Sequence, residues 1–133
     1  MENTISFDLV SPEQLIFSDN VGMVIFPGKE GDIGVLPGHS KLLTSLRAGR
    51  VLVYDQNKKL IKSFFITSGF AEINPKKCII LVEEVEEVSN LDKNSIEKEI
   101  KNFENQNTED ARRQYLIAKL KLEALDSKLY EKF

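Results

Sequence analysis

The distribution of glycine and proline divides this chain of 133 residues into two parts of different character. All seven glycines and all four prolines lie before residue 76, and none follows. Glycine and proline mark turns and end helices, so the first part must turn often, whereas the last part is free to form long helices. The sequence therefore predicts two parts, residues 1–87 and residues 88–133, joined directly near residues 87–90.

The first part has the pattern of short β-strands. Ile5, Phe7 and Leu9 alternate with polar residues, which is the period of two expected for a strand with one buried face. Segments 51–66 and 70–82 each contain two apolar runs around a polar turn, as β-hairpins do. Short strands at such spacing are typical of a β-sandwich or barrel.

The last part has the pattern of two helices. Ser89 or Asn90 is expected to cap the first helix, with Asp92 in its first turn. Thr108 is expected to cap the second, after a polar interruption at residues 105–107. The first helix has one apolar face, formed by Ile96, Ile100 and Phe103.

The second helix has a narrow apolar seam whose residues recur at spacings of four and three. Its members are Ala111, Tyr115, Ala118, Leu122, Leu125 and Leu129, with Leu116, Ile117 and Leu120 beside them. Two such helices form an αα-hairpin, which is marginally stable by itself in water. We therefore expect the hairpin to pack against the β-part or a partner.

Charge and hydropathy exclude several classes of protein. The net charge is −3 and the isoelectric point is near 5.3, which argues against binding nucleic acid through phosphate neutralisation. The acidic excess lies in one run, residues 83–88. No stretch approaches the roughly 18 unbroken apolar residues of a membrane span. The first residues lack the basic start and apolar stretch of a targeting segment, so we expect none.

The sequence predicts no catalytic or metal site. His39 is the only histidine, and no nucleophile-elbow motif accompanies it, so it is either a turn residue or a contact residue. Cys78 is the only cysteine and lies in an apolar run, as a small buried hydrophobe does. The glutamates of residues 83–87 lack calcium-loop spacing and are expected at a solvated strand edge. Residues 28–34 lack the end of a phosphate loop and are expected to form tight turns.

A longer motif resembles a known family. Gly31-Asp32-Ile33-Gly34-Val35-Leu36-Pro37-Gly38-His39, followed by residues 42–46 and Gly49, resembles the signature of the epsilon subunit of F-type ATP synthase. Residues 10–14 with 17–18, residues 68–73 with Val82, and Leu91-Asp92 are similar to other parts of the family pattern. The resemblance covers nearly the whole chain.

The resemblance implies an α+β fold in two parts. It consists of an N-terminal antiparallel β-sandwich of about ten strands and a C-terminal two-helix hairpin. It implies a non-catalytic subunit of the central stalk that binds the gamma subunit and the c ring and turns with them, coupling proton flow to ATP synthesis. The hairpin of many members extends toward the alpha and beta subunits and inhibits ATP hydrolysis. The implied location is peripheral, at the cytoplasmic face of a bacterial inner membrane.

The resemblance also implies contact residues for two partners. Asp32 occupies an acidic turn position that faces the polar loops of the c ring in the family, and Glu30 is its neighbour. Ser11, His39 and Thr44 fall at positions that the family places near gamma.

Some members bind ATP between the two helices through an Ile/Leu-Asp-x-x-Arg-Ala sequence. Here Asp92 is kept, but Ser95 stands in the place of the arginine, and Arg112 and Arg113 remain in the second helix. Serine lacks the charged, forked donor that holds a phosphate. The sequence therefore predicts that ATP contributes little to the position of the hairpin and that no cofactor is needed.

Two other hypotheses come from the residues alone. One is a free-standing regulator that dimerises through the helical seam, which sedimentation would detect. The other is an enzyme that uses His39, for which His39→Ala would remove a measured turnover.

Overall fold

The structure, a computed structural model, describes residues 3–131 and consists of a curled β-sheet followed by two helices. The strands are β1 Ile5–Val10, β2 Leu15–Val21, β3 Met23–Gly28, β4 Gly31–Val35, β5 Leu42–Leu46, β6 Gly49–Tyr54, β7 Leu60–Ile66, β8 Gly69–Ile73, β9 Lys77–Val82 and β10 Val85–Glu87. A 3₁₀ turn at Val88–Asn90 leads to α1 Lys93–Glu104 and α2 Glu109–Asp126.

The sheet curls into two packed layers. One layer has the order β10-β7-β6-β3, with β4 paired to β3, and the other has the order β5-β8-β9-β1-β2. In the described chain, β3 and β5 join the layers through one residue pair, Gly28 and Leu46. The core lies between the layers and includes Ile5, Phe7 and Leu9, which are at most 1% exposed. The predicted sandwich and the inward face of β1 are therefore confirmed.

One pairing departs from the predicted antiparallel arrangement. β1 runs parallel to β9, with Ser6 opposite Lys77 and Val10 opposite Leu81. The other pairings among the described strands are antiparallel. Alternation in a strand reports which face is buried and carries no information about the direction of its neighbour.

The predicted hairpins are present as β6–β7 and β8–β9. The tight turn expected within residues 28–34 lies between β3 and β4, and β4 begins at Gly31 and pairs with β3 along five residues. β10 is an edge strand that pairs with β7, so the glutamates of residues 86 and 87 do lie at a sheet edge.

The helices lie where the periodicity placed them, but the first cap differs. Asp92 caps α1, and its carboxylate accepts a hydrogen bond from the Asn94 N–H at 3.3 Å. The prediction of Ser89 or Asn90 as the cap was wrong, because both residues belong to the 3₁₀ turn. Thr108 caps α2 as predicted, since its hydroxyl accepts a hydrogen bond from the Ala111 N–H at 3.0 Å.

The helices form a hairpin whose apolar faces meet. Ile96 of α1 is buried, as are Ala111, Ala118 and Ala124 of α2. Leu129 lies beyond the end of α2 and is 58% exposed, so its assignment to the helical seam was wrong. Among the described residues, no helix is both long and apolar enough to cross a membrane.

Candidate functional site

The outer face of the second layer carries an exposed apolar patch. Leu43 of β5 is 72% exposed, Phe70 of β8 is 58% exposed, and Leu81 of β9 is 51% exposed. The pairing register aligns Phe70 with Leu81, and Leu81 with Val10 of β1, in one row across three strands. Contiguous exposed apolar side chains on a sheet mark a surface that binds a partner. We call Leu43, Phe70, Leu81 and Val10 the bare patch.

A groove of about 730 Å³ runs beside the bare patch. Its lining includes Phe70, Leu81 and Ser11. Gly69 lies at the start of β8, where a Cβ atom would come within 2.0 Å of the Leu81 carbonyl oxygen, so no larger residue fits. Ser11, a predicted gamma contact, is 8% exposed, and its hydroxyl donates a hydrogen bond to the Gln14 carbonyl at 3.3 Å.

His39, the second predicted gamma contact, lies beyond the opposite end of the same strands. Gly38 has a φ of +87°, which favours glycine, and its N–H donates to the Pro75 carbonyl at 2.9 Å. This bond holds the loop of His39 beside the β8–β9 turn. The His39 Nδ1 lies 2.6 Å from the Ser40 carbonyl oxygen. Ser11 and His39 therefore flank the bare patch at its two ends.

Thr44, the third predicted gamma contact, does not lie on the bare patch. It pairs with Ala71, which is buried, and so points to the opposite side of β5 from Leu43. It lines a depression at the β3–β4 turn together with Glu30 and Asp32. The structure thus brings one predicted gamma contact together with the two predicted c-ring contacts.

Asp32 and Glu30 differ in their surroundings. Glu30 is exposed in the turn between β3 and β4. Asp32 lies in β4, and its carboxylate forms an ion pair with Arg47 at 2.7 Å, while its side chain remains 30% exposed. Both residues are exposed, Glu30 in the turn and Asp32 in β4, but the Asp32 carboxylate already has a cationic partner.

The residues predicted for ATP binding are not assembled into one site. The Asp92 carboxylate accepts a hydrogen bond from the Ser95 hydroxyl at 2.7 Å, which lowers the pKa of Asp92. Arg112 and Arg113 lie in the first turns of α2, at the end of the hairpin opposite Asp92. The helical rise separates the two ends by about 13 Å. The arginines line a cleft between α2 and the sandwich, which Asp92 does not line.

Within residues 3–131 the structure shows no metal-ligand cluster, and the cysteine of this range is buried. No three His, Cys, Asp or Glu side chains of this range are grouped as metal ligands. Cys78 is fully buried, and burial raises the pKa of its thiol to about 12, so it is a poor nucleophile.

Sequence reasoning missed the bare patch, although one signal was available. In β9 the alternation that buries Cys78, Ile80 and Val82 leaves Leu81 pointing outward. A single outward apolar residue is common on protein surfaces, so Leu81 indicates a partner surface only together with its apolar neighbours. Recognising that Leu43 and Phe70 belong to the same surface required knowledge of which strands lie side by side.

The fold is similar to that of subunits in two solved ATP synthases. A chain in the Euglena gracilis mitochondrial ATP synthase structure aligns with a TM-score of 0.75 and 21% identity, over 95% of this chain and 79% of that one. A chain in the Tetrahymena thermophila mitochondrial ATP synthase structure, of the central stalk and c ring, aligns with a TM-score of 0.68 and 16% identity, over 91% of this chain and 96% of that one.

The sequence supports the same relationship more closely. Residues 4–88 match the family model described as ATP synthase, Delta/Epsilon chain, beta-sandwich domain. The ATP synthase epsilon chain of Rhodospirillum centenum is 37% identical over 115 residues, covering 84% of this chain and 78% of that one. That of Maricaulis maris is 39% identical over 100 residues, covering 75% and 74%. The chain therefore belongs to the ATP synthase epsilon chain family, whose members are non-catalytic subunits of that complex.

Proposed function

We propose that this chain is a rotor subunit of a proton-translocating ATP synthase and that it binds the gamma subunit through the bare patch. The supporting observation is the row formed by Phe70, Leu81 and Val10 across three strands, with Leu43 beside it, on a face that no described residue of the chain covers. Apolar side chains that remain this exposed are stabilised when a partner removes them from water.

The polar rim of the patch supports specific docking. Ser11 and His39 flank the apolar row, and rim polar groups set the orientation of a partner more than its affinity. Thr44 lies with Glu30 and Asp32 at the β3–β4 turn, so we assign it to the edge of the proposed c-ring surface. That surface carries the carboxylates of Glu30 and Asp32, which would meet basic or polar groups of the c-ring loops.

The helical hairpin is proposed as the regulatory part. α2 retains Leu116 at 61% exposure, and its first half borders an open cleft toward the sandwich. We infer that this partly packed hairpin has a second arrangement within a few kcal/mol, in which it extends along gamma toward the alpha and beta subunits and inhibits ATP hydrolysis. The division into a docking part, residues 1–87, and a regulatory part, residues 88–133, follows from this proposal.

The proposed location is peripheral, at the cytoplasmic face of a bacterial inner membrane. The similar epsilon chains of Rhodospirillum centenum and Maricaulis maris belong to bacteria, and attachment would occur through the complex.

The test is co-purification of the full chain with co-expressed gamma. Phe70→Glu places a charge in the centre of the bare patch and should weaken gamma binding by at least about tenfold, since a desolvated charge at an interface centre is costly. Ile61→Glu is the matched control, because Ile61 is a 44% exposed strand residue in the other layer. Equal binding by the Phe70→Glu variant and the wild-type chain would contradict the proposal.

The alternative of a free-standing dimer is less favoured by the packing. Ala111 and Ala118 of the seam are 2% and 0% exposed in the monomer, so these seam positions are already covered by the chain itself. Sedimentation of the isolated chain should give a monomer at micromolar concentration, and a stable dimer would support the alternative.

A further inference from the structure

The outer face of the first layer is covered by the chain's own last described residues. Met23, Ile25, Leu52 and Tyr54 form an apolar cluster on the outside of β3 and β6, distinct from the core between the layers. Tyr130 packs against this cluster. We call residues 127–130, which follow the end of α2, the clasp.

Three hydrogen bonds from β6 hold the clasp. The Arg50 guanidinium donates to the Ser127 hydroxyl oxygen at 3.0 Å and to the Leu129 carbonyl at 3.1 Å. The Tyr54 hydroxyl donates to the Tyr130 carbonyl at 2.6 Å. Both donors belong to the strand that lies under the clasp, so the bonds and the apolar contact act at one place.

The backbone of the clasp has a conformation that needs such support. Tyr130 has a φ of +67°, a region that non-glycine residues seldom adopt. Conformations of this kind persist where surrounding contacts determine them. The negative charge of the neighbouring Asp32 carboxylate, with which the Tyr130 hydroxyl is hydrogen-bonded, raises the pKa of Tyr130. Asp32 is itself paired with Arg47, so the clasp also reaches β4.

The other attachments of α2 to the sandwich are looser. Lys121 and Glu86 form an ion pair at 3.4 Å, with the Glu86 side chain 50% exposed, and such surface pairs contribute little to stability. The cleft of about 680 Å³ beside the first half of α2 separates Arg112 and Arg113 from close packing on the sandwich. Among the described residues, the clasp therefore makes more hydrogen bonds to the sandwich than the helices of the hairpin do.

We propose that the clasp is a latch that fixes the helical hairpin on the outer face of β3 and β6, and that its release is the event that frees the hairpin. The occupant of this face is thus a segment of the same chain. The latch itself follows from the contacts described here, whereas its effect on ATP hydrolysis rests on the proposed function.

The latch is tested by a distance measurement across the full chain. Spin labels at Lys59→Cys, at the base of β7, and at Lys101→Cys, in α1, report the position of the hairpin on the sandwich. Both positions are exposed. The buried Cys78 should stay unlabelled. The wild-type background should give one narrow distance distribution.

Arg50→Met with Tyr54→Phe removes both donors, and so all three hydrogen bonds, and retains the apolar volume. The hairpin equilibrium should shift toward released states by about tenfold, which corresponds to about 1.4 kcal/mol. Tyr115→Phe is the matched control on α2, outside the clasp, and should leave the distribution unchanged. A double variant that keeps the wild-type distribution overturns the proposal, as does a Tyr115→Phe variant that broadens it equally.

A second variant leaves Tyr54 in place, and so separates loss of the clasp from any effect of the Tyr54→Phe change on the outer cluster. Deletion of residues 127–133 removes the clasp and changes no residue of β6 or of α2, which ends at Asp126. It should release the hairpin as the double variant does, and an unchanged distribution overturns the latch.

The regulatory consequence is read separately in the assembled complex. A freed hairpin should lower ATP hydrolysis, because it would reach the inhibitory position more often. Release of the hairpin with unchanged hydrolysis supports the latch and contradicts the regulatory part of the proposed function.

Discussion

The two outer faces of the sandwich are both apolar, but the chain covers only one of them. On the first layer, Leu52 and Tyr54 lie under the clasp and are 2% and 0% exposed. On the second layer, Leu43 and Phe70 are 72% and 58% exposed. Both faces carry apolar side chains, so the faces differ in whether another segment of the chain covers them. A covered apolar face contributes to the stability of the monomer, whereas a bare one is available to a partner.

The most direct test of this contrast places the same kind of truncation on each face. Leu52→Ala should lower the free energy of unfolding of the isolated chain by about 2–5 kcal/mol, the range for buried leucine. Phe70→Ala should change it by no more than about 0.5 kcal/mol, as exposed substitutions do. Chemical denaturation of both variants measures this. Equal losses would show that the two faces are not different in kind.

Removing the cover should convert the first face into a second bare face. Deletion of residues 89–133 takes away the hairpin and the clasp and leaves all ten strands. We expect gamma binding, c-ring binding and ATP synthesis to be retained, with any effect seen as a several-fold rise in ATP hydrolysis, because the proposed inhibitory part is missing. The isolated sandwich should also bind a hydrophobic dye more strongly. Loss of assembly with gamma would contradict the division of roles.

The charge at the border between the faces gives a smaller effect. Asp32→Lys replaces the partner of Arg47 with a like charge. It also inverts the charge at this position of the proposed c-ring surface. Rim charges act mainly on association rate and salt dependence, so c-ring binding should slow several-fold while gamma binding stays the same. Stopped-flow association at low and high salt measures this, with Asp19→Lys on β2 as the control. Identical rates for both variants would remove Asp32 from the interface.

Titration of Tyr54 reports on the covered face alone. Burial raises the pKa of Tyr54 to about 12, against the opposing charge of Arg50. The unfolded chain releases this proton near pH 10 and the folded chain near pH 12, so stability is unaffected below about pH 10 and falls as the pH rises from about 10 to 12. Melting temperatures of the wild type and Tyr54→Phe should converge over that interval. A constant difference from pH 8 to 12 would refute this.

The smallest expected effect is that of ATP on the isolated chain. Ser95 donates to Asp92, and Arg112 and Arg113 lie at the other end of the hairpin. A ligand at about 1 mM with a dissociation constant of about 10 µM would add roughly 2.7 kcal/mol of stability. We expect no measurable rise in melting temperature, and a clear rise would show that the hairpin binds nucleotide despite these positions.

The inner faces of the strands were predictable because apolar and polar residues alternate along a half-buried strand with a period of two. Ile5, Phe7 and Leu9 alternate, and all three are buried. The same reasoning placed Thr108 at the start of α2. It failed for the cap of α1, where Asp92 supplies the capping carboxylate two to three residues after Ser89 and Asn90. Helical periodicity does not distinguish among these three candidate caps.

The two outer faces were not predictable in this way. Arg50 and Ser127 lie 77 residues apart, and no periodicity relates them. Leu129 continued the spacing of the helical seam, so the pattern indicated one longer helix where the chain instead leaves α2 after Asp126. The contact residues that the family resemblance implied for gamma and the c ring remain predictions, and their grouping around the bare patch and the β3–β4 turn became visible only when the strands were assembled.

The parallel pairing of β1 with β9 has a consequence for synthesis. Ser6 of β1 pairs with Lys77 of β9, so about 70 further residues must be synthesised before β1 can form this pairing. Until then the β1–β2 hairpin has a free edge, and the second layer cannot close. Pairings this distant in sequence slow folding relative to local helical contacts. The helical hairpin follows the strands in the chain and is built from adjacent helices, so we expect it to form faster than the β1–β9 pairing.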